Sequence, residues 1–185
     1  MNLGAIAFIA IVIILAVVII GSYNKLIKQK ITVDEAFSTM DIYLKKRFDL
    51  IPNLVETVKG YTRHEENTLE EIVKLRNENY GGMSVEDKLK SSNALSMALP
   101  KIMALAESYP ELKANQNFMD LSGQLGRLEN DIANARKYYN GAVRQYNISV
   151  QSVPTNLIAS MFHFETKPMY EIEDAGQREN VQVKF

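Results

Sequence analysis

The sequence contains no cysteine and only two histidines among its 185 residues. The lack of cysteine excludes disulfide bonds, thiolate metal sites and lipidation through a cysteine side chain, and it fits a reducing compartment. Lys and Arg number 21 and Asp and Glu number 22, so there is no basic excess to hold a phosphate backbone. We therefore expect a disulfide-free protein that does not bind nucleic acid.

Motifs of common enzyme classes are also missing. His64 is followed by Glu65, but Thr68 stands where a zinc-protease helix needs its second histidine. The sequence has no Gly-x-Ser-x-Gly motif, no phosphate-binding glycine loop with its lysine, and no cysteine nucleophile. We expect no enzyme activity, no cofactor and no metal site. The remaining enzyme hypothesis requires His64 and Glu65 to meet a third ligand in space.

An unbroken apolar run extends from Leu3 to Gly21. A bilayer-spanning helix needs about 20 such residues, so the run predicts a membrane anchor over residues 1–22. A cleaved signal peptide is the alternative, but no basic residue precedes the run and no small-x-small exit site follows it. We place the following representative residues in the anchor: Leu3, Ile9, Ile14, Val18 and Ile20.

The first basic residues after the apolar run are Lys25, Lys28 and Lys30. Positive charge stays on the cytoplasmic side of a membrane span. This pattern predicts a single-pass protein with its N-terminus outside and the remaining chain in the cytoplasm.

Apolar residues beyond the anchor recur at helical spacing. A first helix continues from the span to about Tyr80, with a kink near Pro52, and Gly81 with Gly82 ends it. Its apolar face comprises Val33, Phe37, Met40, Leu44, Phe48, Ile51, Val55 and Val58.

Two more helices follow. Ser84 with Asp87 three residues later predicts the N-terminus of the second helix, and Tyr109-Pro110 predicts its end. Its buried face comprises Leu95, Leu99, Ile102 and Ala106. The third helix carries a coiled-coil-like seam of Phe118, Leu121, Leu125, Leu128, Ile132, Ala135, Tyr139, Ala142 and Tyr146.

These elements predict an all-α fold, in which an N-terminal transmembrane helix is followed by an up-and-down antiparallel bundle of long amphipathic helices. We assign the bundle to residues 23–164, where Thr155 caps a short helix that ends at Phe162. Residues 165–185 form an extended acidic tail.

Polar residues beside the apolar faces are the candidates for an interaction surface. Arg47, Asp49 and Asn53 fall nearly on one side of the first helix, as a polar seam within or between bundles. Two Tyr-Asn pairs lie one heptad apart on the third helix. The full candidate set is Arg47, Asp49, Asn53, Lys59, His64, Glu65, Glu129, Asn130, Arg136, Tyr139, Asn140, Tyr146 and Asn147.

Several segments carry a family resemblance. Residues 44–61 read LKKRFDLIPNLVETVKGY, residues 109–115 read YPELKAN, and residues 129–136 read ENDIANAR. Together with the two Tyr-Asn pairs, these segments resemble the LemA family of bacterial membrane proteins over nearly the whole chain. The departures are Pro100 in the second helix, Val153 where an aromatic residue usually precedes the proline, and His163 where glycine is common.

The resemblance implies a single span of the bacterial inner membrane and a cytoplasmic helical bundle, but no known reaction. Our leading hypothesis is a homo-oligomeric scaffold of the cell envelope or its stress response. A second hypothesis, which rests mainly on the resemblance, is an adaptor or regulator of a membrane protein partner such as an HtpX-type metalloprotease. A third is a membrane-remodelling protein.

Overall fold

A computed structural model describes residues 3–61 and 80–171 of the chain. Within these two ranges the regular structure is entirely helical, which confirms the all-α prediction. The elements are α1 (Leu3–Lys59), a 3₁₀ turn (Tyr80–Gly82), α2 (Val85–Glu107), α3 (Pro110–Lys113), α4 (Gln116–Gln151) and α5 (Thr155–Met161).

Helix α1 contains the apolar run and continues into the amphipathic segment without interruption. It is long and apolar enough over its first part to cross a membrane, and the residues of that part are exposed. The helix ends at Lys59, about 20 residues earlier than the sequence predicted. Gly60 follows immediately, and glycine is a poor helix former because of its backbone freedom. The helix continues through Pro52, where the kink stays a prediction.

The start of α2 confirms the predicted cap. The Ser84 hydroxyl oxygen accepts a hydrogen bond from the Asp87 backbone N–H at 3.1 Å, and the same hydroxyl donates to the Asp87 carboxylate at 2.6 Å. Helix α2 continues through Pro100 and ends before Tyr109-Pro110, where proline occupies the first position of α3. The four residues predicted for its inner face are all buried.

Helix α4 confirms the predicted seam with one shift. Phe118, Leu125, Leu128, Ile132, Tyr139 and Tyr146 are buried, and Leu121, Ala135 and Ala142 are half-buried. Val143, which was not predicted, is fully buried next to Ala142. Burial of the valine side chain removes more apolar surface from water than burial of alanine, which favours Val143 at the inner position.

Helix α5 begins differently from the prediction. Pro154 is its N-cap residue, and Thr155 lies inside the first turn. The Thr155 hydroxyl lies 2.5 Å from the Ser149 carbonyl and 2.8 Å from the Ser152 carbonyl, so it binds the end of α4 instead of capping α5. After α5, His163 has a φ of 56°, in the left-handed region that favours glycine.

The chain divides into two compact units. Of the described residues, the first contains 3–39 and 137–169, and the second contains 40–61, 80–136 and 170–171. The boundaries predicted at residues 22 and 164 follow the sequence pattern and stay a prediction. Each unit has its own buried apolar residues from α1 and α4, joined by α5 in the first unit and by α2 in the second.

Both units contain antiparallel helix pairs. In the first unit, the rings of Phe37 and Tyr139 are 5.8 Å apart, and Lys30 lines the same pocket as Tyr146. Residue numbers therefore rise along α1 in the direction in which they fall along α4, so the two helices are antiparallel. In the second unit, Arg47 bonds to Glu129 while the Tyr61 hydroxyl accepts a bond from Asn115. These pairings confirm the up-and-down bundle.

Candidate functional site

Arg47 lies at the centre of a polar cluster inside the second unit. Its side chain is fully buried, because position 47 falls on the same face as Leu44 and Ile51. One guanidinium nitrogen donates to the Glu129 carboxylate at 2.9 Å and to the Ser96 hydroxyl at 2.9 Å. The other donates to the backbone carbonyl of Ser92 at 2.8 Å and to its hydroxyl. The residue predicted for an interaction surface therefore joins α1, α2 and α4 within one chain.

The tail extends this cluster. The Tyr170 hydroxyl lies 2.5 Å from the Ser92 hydroxyl, and the Tyr170 side chain is buried. The Arg136 guanidinium lies over the Tyr170 ring at 4.3 Å, and the Asn93 side chain donates to the Glu171 carbonyl. The described end of the tail is thus packed on the second unit, although it has no regular secondary structure.

Sequence reasoning missed Ser92 and Tyr170 as parts of this cluster. A signal existed for Ser92, because it lies three residues from both Leu89 and Leu95 and therefore on the buried face of α2. Tyr170 is an aromatic residue next to the acidic run that begins at Glu171, and only the folded structure reveals its burial.

A second cluster surrounds Tyr80 in the same unit. The Tyr80 hydroxyl donates to the Asp41 carboxylate at 2.6 Å, and Lys88 donates to the same carboxylate at 2.7 Å. The Lys88 ammonium lies 4.8 Å from the centre of the Tyr80 ring. Burial, and then the hydrogen bond to Asp41, raise the pKa of Tyr80 well above its usual range. The tyrosine stays neutral and serves as a hydrogen-bond donor.

In the first unit, one residue of each Tyr-Asn pair holds the segment after α5. The Tyr139 hydroxyl donates to the Pro168 carbonyl at 2.8 Å. Asn147 donates to the Lys167 carbonyl and accepts from the Lys167 N–H, both at 2.8 Å. This two-bond amide contact satisfies the backbone of Lys167 in place of a strand or helix partner.

The buried tyrosines of the first unit are also kept neutral. Burial, and then the charge of Asp34, raise the pKa of Tyr139 to about 12. Burial raises the pKa of Tyr146, and the charges of Asp34 and Glu165 add to the effect. Lys167 lies 3.6 Å from Asp34 and pairs with it. These tyrosines serve as structural groups of the first unit.

The remaining predicted residues lie apart from these clusters. Asp49 is exposed and pairs with Lys45 at 2.9 Å, and Lys59 is exposed and lies 3.7 Å from Glu56. The exposed Asn130 side chain donates to the Gly126 carbonyl. Asn53 is exposed and Asn140 is half-buried, whereas His64 and Glu65 lie outside the described residues. The candidate set is therefore distributed over several clusters and forms no single site.

An open groove of about 540 Å³ lies between α1 and α4 in the second unit. Two predicted residues, Asp49 and Asn53, lie on its α1 side. The other lining residues are Lys46, Leu50, Gln124, Arg127, Leu128 and Asp131. The groove thus presents two cations, two anions and two amides around two leucines, which makes it a candidate contact surface of the second unit.

The five anchor residues are all exposed on α1. Exposure of so many large apolar side chains in sequence is unfavourable in water and favourable in a lipid bilayer. This arrangement is what a membrane-spanning segment requires.

Comparison with known proteins gives a consistent family signal. The model of the LemA family matches residues 36–185. Protein LemA from Metamycoplasma hominis is 24% identical over 171 residues, covering 90% of this chain and 75% of the relative. Magnetosome protein MamQ 2 from Paramagnetospirillum magneticum is 28% identical over 88 residues, which are 48% of this chain and 32% of that protein. MamQ from Magnetospirillum gryphiswaldense is 24% identical over the same length. The matched part thus spans about a third of the MamQ proteins.

Proposed function

Because this chain belongs to the LemA family, we propose that it is a membrane-anchored, non-enzymatic scaffold that assembles with copies of itself through the surface of its helical bundle. The observation that carries the proposal is the charge-balanced groove between α1 and α4.

The groove supports self-association through its charge pattern. Lys46 and Arg127 supply positive charge, and Asp49 and Asp131 supply negative charge. A second copy related by a two-fold axis would present the same four charges, so Arg127 of each copy can face Asp131 of the other, and Lys46 of each can face Asp49 of the other. Leu50 and Leu128 lie between them and supply apolar surface for the centre of such a contact.

The buried polar clusters support a role without catalysis. The Arg47 guanidinium donates hydrogen bonds to α2 and α4, and the Tyr80 hydroxyl donates a hydrogen bond to Asp41 of α1. These groups stabilise helix packing inside one chain. The polar residues that line the groove lie at the surface, where they can contact other molecules.

Membrane orientation is part of the proposal. Lys25, Lys28 and Lys30 follow the apolar segment of α1, which supports a cytoplasmic bundle at the inner membrane. A reporter enzyme fused after Phe185 tests this orientation. We expect activity from a reporter that works only in the cytoplasm, and activity from a reporter that works only outside would contradict the assignment.

Crosslinking tests self-assembly directly, because the chain has no cysteine of its own. We place a single cysteine in the groove with Gln124→Cys, and a matched cysteine at the exposed end of α2 with Glu107→Cys. A short thiol crosslinker in native membranes should give adducts of two copies for Gln124→Cys and few for Glu107→Cys.

Charge reversal supplies the second test. Arg127→Asp should reduce the Gln124→Cys adduct, and adding Asp131→Arg in the same chain should restore it, because the swap rebuilds the opposite pair of charges. Lys113→Glu, an exposed reversal outside the groove, is the control. Adducts that contain only a different membrane protein would support the adaptor hypothesis and contradict self-assembly.

A further inference from the structure

A long charge-free segment surrounds α5. No Asp, Glu, Lys or Arg occurs between Arg144 and Glu165, in a protein of which 23% is charged. Segments that face water in a bundle usually carry charge on their outer face. The outer side of this segment therefore lacks the charged residues that are typical of a water-facing surface.

Apolar side chains lie on both the buried and the exposed face of α5. Thr155, Ile158 and Ala159 are buried against the first unit. The opposite face and its flanks expose Val153, Leu157, Met161 and Phe162, with exposed fractions of 79%, 65%, 62% and 47%. Exposed leucine, methionine and phenylalanine side chains are stabilised when they are removed from water.

The position of α5 identifies what covers this outer face. The Phe162 and Phe164 rings pack on the Tyr23 ring, with centroids 4.8 Å and 5.7 Å away. Tyr23 comes three residues after Ile20, the last large apolar residue of the membrane segment, which is about 4.5 Å along the axis of α1. The short helix is thus fixed beside the point where α1 leaves the bilayer.

The surroundings match a lipid headgroup layer. Tyrosine side chains are enriched at membrane interfaces, where the ring is buried and the hydroxyl is hydrated. Lys25, Lys28 and Lys30 are exposed on the next turns of α1, where they can meet anionic headgroups. Exposed apolar side chains, an interfacial tyrosine and nearby lysines therefore lie together in the first unit.

We infer that α5 is an interfacial helix, whose outer face of Val153, Leu157, Met161 and Phe162 (the α5 lipid face) inserts into the headgroup and acyl boundary of the bilayer that α1 spans. This inference rests on the membrane anchor in the proposed function. It adds a second lipid contact that is distant in sequence from the first, and it fixes one end of the first unit against the membrane surface.

The depth of single fluorophores tests the inference on the full chain. Because native cysteine is absent, Leu157→Cys and Met161→Cys each give one labelling site for an environment-sensitive fluorophore. Val18→Cys labels the centre of the anchor. Tyr138→Cys is the control, since it is exposed on α4 and adjoins Tyr139, which packs at the level of Phe37, about 20 Å along α1 from Tyr23.

The proteins are reconstituted in vesicles of equal parts phosphatidylcholine and phosphatidylglycerol, with nitroxide-labelled lipids as quenchers. We expect blue-shifted emission at positions 157 and 161 and loss of most of it to nitroxides at shallow acyl positions. Position 18 should respond to deep nitroxides, and position 138 should emit as in water. Each of the two α5 variants tests the inference independently, and circular dichroism verifies that both are folded.

The remaining outcomes overturn the inference in distinguishable ways. Water-like emission at positions 157 and 161, with position 18 quenched, would reject the interfacial helix and leave the anchor intact. Blue-shifted emission without lipid quenching would show that a second copy covers α5. Water-like emission at position 18 would reject the anchor, and the proposed function would fail with it.

Discussion

The guanidinium of Arg47 and the carboxylate of Glu129 form an ion pair across α1 and α4 at 2.9 Å, with Arg47 fully buried and Glu129 partly exposed. Removing one partner of a buried ion pair costs about 3–5 kcal/mol, because the other charge is left without its counter-charge. Two residues 82 positions apart in sequence are thereby held at one level of the bundle.

Substitution of this pair should affect stability in a fixed order. Arg47→Ala leaves a cavity and leaves the acceptors on Ser92, Ser96 and Glu129 without their donor, so we expect a loss of about 3–5 kcal/mol in the free energy of unfolding. Glu129→Gln removes the counter-charge but keeps one acceptor oxygen, and Arg47 keeps its bonds to Ser92 and Ser96, so this variant should cost less. Urea unfolding in mild detergent measures both. A loss for Glu129→Gln equal to that for Arg47→Ala would contradict the structural account.

Alkaline pH should weaken the first unit through Tyr139. Its pKa is about 12 in the folded chain and about 10 in an unfolded one, so the folded state holds the proton more tightly. The stabilisation is complete below about pH 10 and is lost as pH rises through about 12. Between those values the wild type should lose up to about 1.4 kcal/mol per pH unit more than Tyr139→Phe. Equal slopes in urea titrations at each pH would refute the assignment.

The amide of Asn147 should control the order of the segment after α5. Asn147→Ala removes both bonds to Lys167, and we expect a cost of about 1–3 kcal/mol with faster hydrogen exchange around residue 167. Asn147→Asp keeps the acceptor for the Lys167 N–H and should lose only part of the protection. The exposed Asn134→Ala on the same helix is the control. Unchanged exchange in Asn147→Ala would count against the clamp.

Glycine at position 163 should stabilise the chain. His163 adopts a φ of 56°, which costs a residue with a Cβ about 1–2 kcal/mol, while glycine adds an entropic cost of about 0.5–1 kcal/mol. We expect His163→Gly to gain about 0.5–1 kcal/mol and His163→Ala to gain nothing. Thermal unfolding in detergent compares the two variants, and a gain for alanine as large as that for glycine would show that conformation is not the cause.

Local sequence signals predicted a large part of this fold. The cap of Ser84 and Asp87 and the seam of α4 depend on residues close in sequence, so periodicity and capping rules found them. Helix α1 ends earlier than its apolar pattern predicts, because that pattern gives no stop at Lys59, whereas Gly60 disfavours a further helical turn.

The candidate site was harder to predict, since its contacts join distant segments. Arg47 was recognised as part of a polar seam, but its partners Ser92 and Glu129 lie on two other helices. The burial of Tyr170 beside an acidic tail has no local signal. Thr155 shows that a local signal can also mislead. Threonine is a common N-cap residue, but the Thr155 hydroxyl binds the end of α4 and does not cap α5.

The most direct test of the central claim, self-assembly of a membrane-anchored scaffold, is the mass of the full-length protein in mild detergent, measured by light scattering over a wide concentration range. We expect a discrete mass several times the 20.9 kDa of one chain, which falls on Arg127→Asp substitution and returns with the Arg127→Asp and Asp131→Arg double substitution. A monomer at every concentration would contradict the scaffold and direct the search to a different membrane protein partner.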